Sequence, residues 1–340
     1  MRTIYLLLAL VLISSCSKKG IITMNVLEPA VVRVHPAIKR LGVINRTLPA
    51  QKTKPLDDLE KLLTLEGMNM DKEGADASFT AVQNELAGDR FNVVPIDKND
   101  LKTLGAGVFP NSLPLSTVSQ LCQTYQVDAI LSLEFFDTDS KLAVNVANTT
   151  IPTPLGNVPG IVHNATLNTI VKTGWRIYDP QGSLVIMDEY HLDRNFVSHS
   201  QGVNPMEAVK ALVNRKEVVT RLGRESGTIY ADRLLPYWTR VSRDYYIRGN
   251  NALKIATRKA RAGNWDGAAE IWKTESSNSD PKIAGRAAYN YAIIHEINGD
   301  LDSAMKWAQK AYEDYNVKLA LKYTRILRNR MARVQALNNN

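Results

Sequence analysis

Apolar and polar positions recur along this chain with two different periods, and the change from one to the other marks its elements. After Met1 and Arg2 comes an apolar run, residues 4–13. It is too short to span a bilayer, which takes about 20 residues. Residues 20–34 hold β-branched apolar positions before His35-Pro36, and Arg40-Leu41-Gly42-Val43-Ile44-Asn45 reads as a strand ending in a turn. A polar, proline-containing connection follows over residues 48–71, with a helical piece expected around 57–65. Ala75, Phe79, Val82 and Leu86 return every three to four residues, the spacing of an amphipathic helix, and Gly88 supplies its stop. Residues 91–96 then read as a strand, 115–125 as a helix and 127–136 as a long apolar strand. Two more strands, 165–178 and 183–193, flank Asp179-Pro180-Gln181-Gly182, a hairpin turn by its Pro and Gly. Asn204-Pro205-Met206-Glu207 opens a helix expected to run to about Arg233, with a capping residue, a first-turn proline and a capping-box glutamate. Residues 234–247 are rich in aromatics and are expected to return to the sheet.

The last quarter of the chain repeats itself. Gly263-Asn264-Trp265-Asp266-Gly267-Ala268 aligns with Gly299-Asp300-Leu301-Asp302-Ser303-Ala304, and Ala256 with Ala292. This resembles the tetratricopeptide pattern, in which small residues let paired helices pack closely. Ala311 fits the second copy, while Glu275 departs from the pattern in the first. Residues 317–337 read as a final helix, with Leu319, Tyr323, Ile326, Leu327 and Val334 inward and arginines outward, a polar-faced cap of the kind solenoid ends need. Residues 234–249 could alternatively supply part of a degenerate first unit.

The expected class is therefore α+β: a mixed α/β sheet domain with packed helices, followed by an all-α helical-hairpin tail. The expected division is a signal peptide over 1–15, an anchored segment over 16–37, an α/β domain over 38–249 and the helical tail over 250–337.

Ile13-Ser14-Ser15-Cys16 closes the leading apolar run and resembles the lipobox of bacterial lipoprotein signals. The resemblance implies cleavage before Cys16 and lipid attachment there, with stable membrane anchoring. No aspartate stands beside Cys16, so the outer membrane is the expected location, with the body facing the periplasm or the outside. The formal charge is +8, with much of the excess in residues 318–333. For an exported protein this points away from nucleic acid and towards anionic envelope components. With Cys16 used by lipid, Cys122 has no intramolecular partner and reads as a buried small hydrophobe.

The order of signals over residues 38–196 resembles the envelope domain shared by the curli-secretion lipoprotein, the TolB N-terminal domain and the penicillin-binding-protein activator lipoproteins. The carrying segments are Arg40 to Asn45, Phe91-Asn92-Val93-Val94-Pro95, Val127 to Glu134, and Trp175 to Val185 with its turn. With its tail, the chain also resembles an uncharacterised lipoprotein family known as a domain of unknown function. Neither resemblance brings a catalytic residue. In the curli-secretion lipoprotein the stretch comparable to residues 137–165 forms membrane hairpins. Here Leu142, Val144 and Val146 alternate with Ala143, Asn145 and Ala147, but Pro152, Pro154 and Pro159 break the pattern beyond them, so a long flexible loop or flap is expected.

Candidate chemistry is sparse. His295-Glu296 begins like a zinc-protease helix, but no second histidine follows four residues on. Glu189, His191 and Asp193 share one strand face and could hold a metal, with an exposed sheet face as the competing explanation. No catalytic residue, metal or cofactor is assigned. The expected role is a non-enzymatic adaptor or assembly factor that presents a repeat groove to an envelope protein, with Asn290, His295 and Glu296 as candidate groove residues. An oligomeric secretion or pore component and an envelope hydrolase or metal-dependent enzyme are the rival readings, and activation of a peptidoglycan synthase is a special case of the first. The sequence leaves the oligomeric state open.

Overall fold

In a computed structural model, the described residues are 19–47, 69–88, 90–97, 101, 109–154, 156–182 and 184–338. Cys16 and the expected helical piece at 57–65 lie outside them. The described residues form a mixed α/β structure whose C-terminal part is helical, divided into two compact units. One unit spans 30–235. The other combines the described residues before Ala30 with those from Pro236 on.

The first unit is built on a sheet of β2 (Arg40–Asn45), β3 (Asn92–Ile96), β4 (Ala129–Thr153), β5 (Gly156–Tyr178) and β6 (Ile186–Gly202), in the order β3-β2-β4-β5-β6. The first three strands of that order are parallel, and the last two are added antiparallel. Parallel strands need crossover helices, and α1 (Met70–Leu86) and α2 (Leu115–Tyr125) occupy those connections. α1 packs its Met70, Ala75, Val82 and Leu86 against Leu41, Val43, Leu131 and Trp175. The opposite sheet face, with Ile44, Ile130 and Tyr178, takes Val118, Leu121 and Cys122 of α2. Burial raises the Cys122 thiol to about 11, as suits a packed rather than a reactive cysteine.

The helix opened by Asn204 is two helices, α3 (Pro205–Lys210) and α4 (Arg215–Asp232). Asn214 causes the break, because its side chain accepts the backbone N–H groups of Lys216 and Glu217 and so caps a second helix. α4 lies beside α1 at very short range. A β-carbon on Gly223 would collide with the carbonyl oxygen of Gly74, and one on Gly227 with that of Ser78.

The flap expected over residues 137–165 is instead the distal half of a regular β4–β5 hairpin. Its pairing runs from Ile130↔Tyr178 to Thr153↔Gly156, with one irregularity between Leu133 and Phe135. Pro152 and Pro159 are compatible with it because this part of the ribbon has only two strands among the described residues. β6 ends opposite His163, and no described strand pairs with β4 beyond Leu133 on its other side. A proline in an edge strand can turn its missing N–H outward and cost no ladder bond.

In the second unit, β1 (Lys19–Glu28) pairs antiparallel with β7 (Tyr237–Tyr246) from Lys19↔Tyr246 to Glu28↔Tyr237. The aromatic segment expected to rejoin the first sheet therefore belongs here, and the compact units divide at Leu235 rather than at Gly249. Two helical hairpins follow, α5 (Asn251–Arg261) with α6 (Trp265–Glu275) and α7 (Pro281–Ile297) with α8 (Leu301–Glu313), and then α9 (Lys318–Asn338). The internal repeat is visible in the turns. Gly263 and Gly299 have φ of +81° and +80°, and Asn264 and Asp300 each cap the next helix through the N–H three residues on. Ala256, Ala268, Ala292, Ala304 and Ala311 are all buried. Glu275, the departure in the first copy, accepts hydrogen bonds from Asn250 and Asn278 and so ties the start of α5 to the end of α6.

Candidate interaction surfaces

The inner face of the helical hairpins is occupied by the chain's own β1–β7 ribbon. Ile22 and Tyr245 share a core with Leu253, Trp272, Tyr289 and Tyr323. Asn290 acts there as a surrogate peptide group. Its Oδ1 accepts the N–H of Tyr246 at 2.7 Å, and its Nδ2 donates to the carbonyl of the same residue at 2.7 Å. The Tyr289 hydroxyl donates to the carbonyl of Asp244. Two side chains of α7 thus satisfy an edge of β7 that would otherwise be a template for other strands.

Glu296, one turn and a half further along α7, is fully buried. Arg243 of β7 grips both its oxygens at 2.8 and 2.7 Å, Arg330 of α9 donates at 2.6 Å, and the Tyr323 hydroxyl donates at 2.6 Å. Burial pushes this carboxyl up, but the donors from Arg243, Tyr323 and Arg330 outweigh burial and hold it below the usual carboxylate range. Burial and the neighbouring carboxylate push the Tyr323 hydroxyl up in turn. Asn290 and Glu296 are therefore not surface that a partner can touch, which corrects the expectation that they line an open groove. His295 is the partly exposed member of the predicted trio. Its Nδ1 lies 3.2 Å from Asp300, the cap of α8, and its ring meets Tyr291 edge-on at 4.7 Å.

A second buried carboxylate sits in the α/β unit, where β2 ends and β4 passes it. Glu134 accepts the Tyr178 hydroxyl at 2.6 Å and pairs with Arg46, the residue just after β2. Arg46 also donates to the carbonyl of Leu101, which follows β3, at 3.0 Å. Tyr178 accepts the N–H of Leu113. Burial and Glu134 raise its hydroxyl to about 12. This cluster pins the segments after β2 and β3 to the carboxyl ends of parallel strands, the place where open α/β sheets bind ligands. Beside it, Arg176 donates to Glu189 at 2.7 Å and to the Pro110 carbonyl at 2.6 Å, and stacks over Phe109 at 4.1 Å. Phe109 in turn lies 4.2 Å from the His191 ring. Of the residues weighed for a metal, Glu189 is thus engaged by arginine, whose hydrogen bond lowers its pKa.

The distal hairpin is the surface that pattern reading missed. α3 covers its base, with Ala208 and Val209 on Ala165, Leu142 and Val144. Beyond that cover, Val146 is 61% and Ile161 is 57% exposed. From Leu142 to Val171 the chain contains no Asp, Glu, Lys or Arg. That stretch was the available signal, since exposed edge strands usually carry charge.

Residues 38–246 match a family model described as a domain of unknown function, DUF8603, and residues 254–329 match a second, DUF6340. A search of curated proteins finds no match to the chain.

Proposed function

The chain belongs to the DUF8603 family, and from that premise we propose that it is a lipid-anchored, non-enzymatic adaptor or assembly factor of the bacterial envelope. Its protein contact is the distal β4–β5 hairpin, with the helical-hairpin tail as a tetratricopeptide-like support. The observation that carries this is the outer edge of β4. From Phe135 to Thr153 no described strand lies against it, and most of that length is free of charged side chains. An extended segment of a partner can add to such an edge, with main-chain hydrogen bonds giving affinity and alternate side chains giving selectivity. The lipid on Cys16 confines the search for that partner to two dimensions. A curli-secretion-type oligomeric pore is the second reading. The uncharged stretch and the exposed Val146 and Ile161 favour it, since a membrane strand takes about 9–11 residues.

The test is crosslinking in living cells and sizing in detergent, with the intact chain beside one whose residues 147–162 are replaced by Asn-Gly. That turn closes the hairpin after Val146↔His163 in a favoured geometry. Capture of an envelope protein by the intact chain, lost with the short hairpin, supports the adaptor. A large homo-oligomer lost in the same way supports the pore. Capture unaffected by shortening refutes the hairpin as the contact. Ending the chain at Gly249 would be a poor substitute, because it strips β7 of its Asn290 and Glu296 partners.

A further inference from the structure

We propose that the outer face of α9 lies on an anionic lipid surface and orients the helical unit against the membrane that holds Cys16. The inference rests on the lipid-anchor reading and adds a surface to it.

The net charge is divided very unevenly. Residues 30–235 carry 21 Lys and Arg against 23 Asp and Glu, a balance of −2. The rest of the chain carries 21 against 11, a balance of +10, and the two make up the +8 of the whole. Within the helical unit, α9 contains no acidic residue at all. Its Tyr323 and Leu327 face the core, and Arg330 and Arg333 are engaged by Glu296 and Glu28. Lys318, Lys322, Arg325 and Arg328 are exposed, and at 100° per residue they fall within one arc of about 120°. Leu321 stands in the same arc, 36% exposed.

This stripe begins where the chain enters from its anchor. Ile21, Leu319, Lys322 and Ile326 line one cavity of about 190 Å³, so the first turns of α9 lie beside the start of β1. Ile21 is 71% exposed, and Lys19 nearby pairs with Asp244, the one acidic group among the described residues lining that cavity. Cys16 is three residues before Lys19, and three residues reach at most about 11 Å. The covalent tether therefore holds the start of β1, and with it the adjoining first turns of α9, near the headgroups, where screening by salt is least. A basic stripe with a few exposed apolar side chains is the pattern of a helix lying on an anionic interface. Lipid alone suffices for attachment, so the stripe's contribution is orientation. It turns one face of the helical unit to the membrane and leaves the others for proteins.

The test uses the mature chain from Ser17, which contains every described residue, with vesicles of phosphatidylcholine alone or mixed with phosphatidylglycerol. Co-sedimentation should show binding to the mixed vesicles only, abolished by high salt. Each basic residue at such a surface contributes about fivefold, so K318Q/K322Q/R325Q/R328Q together should weaken binding by at least about 50-fold. All four side chains are exposed, and an unchanged thermal midpoint would confirm that the variant is folded. Neutralising Lys254, Arg258 and Arg261, the exposed basic stripe of α5, should cost threefold or less. Equal losses from the two stripes would show that overall charge alone acts and would overturn the proposed face. No binding to either vesicle would overturn it too. Palmitate labelling of the full chain beside C16A in cells reads the anchor separately, so failure of either idea is distinguishable from failure of the other.

Discussion

Each of the two units buries one glutamate with an arginine and a tyrosine, and the two clusters do different work. Glu134 meets one arginine, Arg46, which also holds the segment after β3 through Leu101. Glu296 meets two, Arg243 from β7 and Arg330 from α9, so a single carboxylate joins three elements distant in sequence. The tyrosine bond is 2.6 Å in both. One cluster ties Arg46 to Glu134 and Leu101 at a strand end, where the sheet has its own ladder of hydrogen bonds. The other closes the ribbon and the last helix onto α7, where nothing could lift without opening the unit. The difference lies in what the arginines are attached to.

The largest effect that sharpens this comparison is the loss of one charge from each cluster. Glu296→Gln leaves the buried Arg243 and the half-buried Arg330 without a counter-charge and should destabilise the helical unit by about 3–5 kcal/mol. Glu134→Gln weakens the hold on a single arginine, Arg46, which keeps its Leu101 carbonyl, and should cost about 1.5–3 kcal/mol, the range of a hydrogen bond to a charged group. Hydrogen exchange read by mass spectrometry separates the units, because each opens with its own free energy. Equal costs would mean that the second arginine adds nothing, and the distinction between clasp and loop fastening would fail.

A smaller effect is expected at Asn290, which separates the ribbon's docking from the charge cluster. Asn290→Ala removes both bonds to Tyr246 and leaves its half-buried N–H unpaired, at a cost of about 1–3 kcal/mol. Exchange should quicken at the amides of β7 first, while the two helical hairpins stay protected. Uniform loss across the whole unit would show instead that ribbon and helices open as one.

The legibility of these features depends on their range. Helix α2 has the bounds expected from its apolar spacing, and the hairpin turns show the repeated glycines, because both depend on residues within a few positions of each other. The fate of residues 237–246 depends on β1, more than 200 positions earlier, and nothing local distinguishes an aromatic strand that rejoins one sheet from one that founds another. The prolines at 152 and 159 read as interruptions in the sequence because their tolerance depends on which neighbouring strands are missing. Glu296 does carry a local sign. It lies three residues after buried Ile293 on a helix rich in buried alanine, and an acid at a core position requires buried donors. That sign points to a structural role as readily as to a groove. The sequence pattern names the acid and leaves its arginines, 53 positions before and 34 after, to the fold.

The smallest effect near neutral pH, and the most selective one, is the acid limb of stability. Glu296 has a folded pKa below its ordinary value of 4.5, so its contribution is fully present above that value. It is lost as pH falls through the folded value, because protonation then leaves Arg243 and Arg330 facing a neutral acid. Exchange protection of the helical unit should thus decline below about pH 4.5, the ordinary value from which Glu296 is lowered. In Glu296→Gln the same decline should be shallower, since the group that binds the proton is gone. The mutant begins less stable, so the quantity to compare is the slope against pH and not the level. An unchanged slope would assign the proton to another carboxylate of the unit and refute Glu296 as its site.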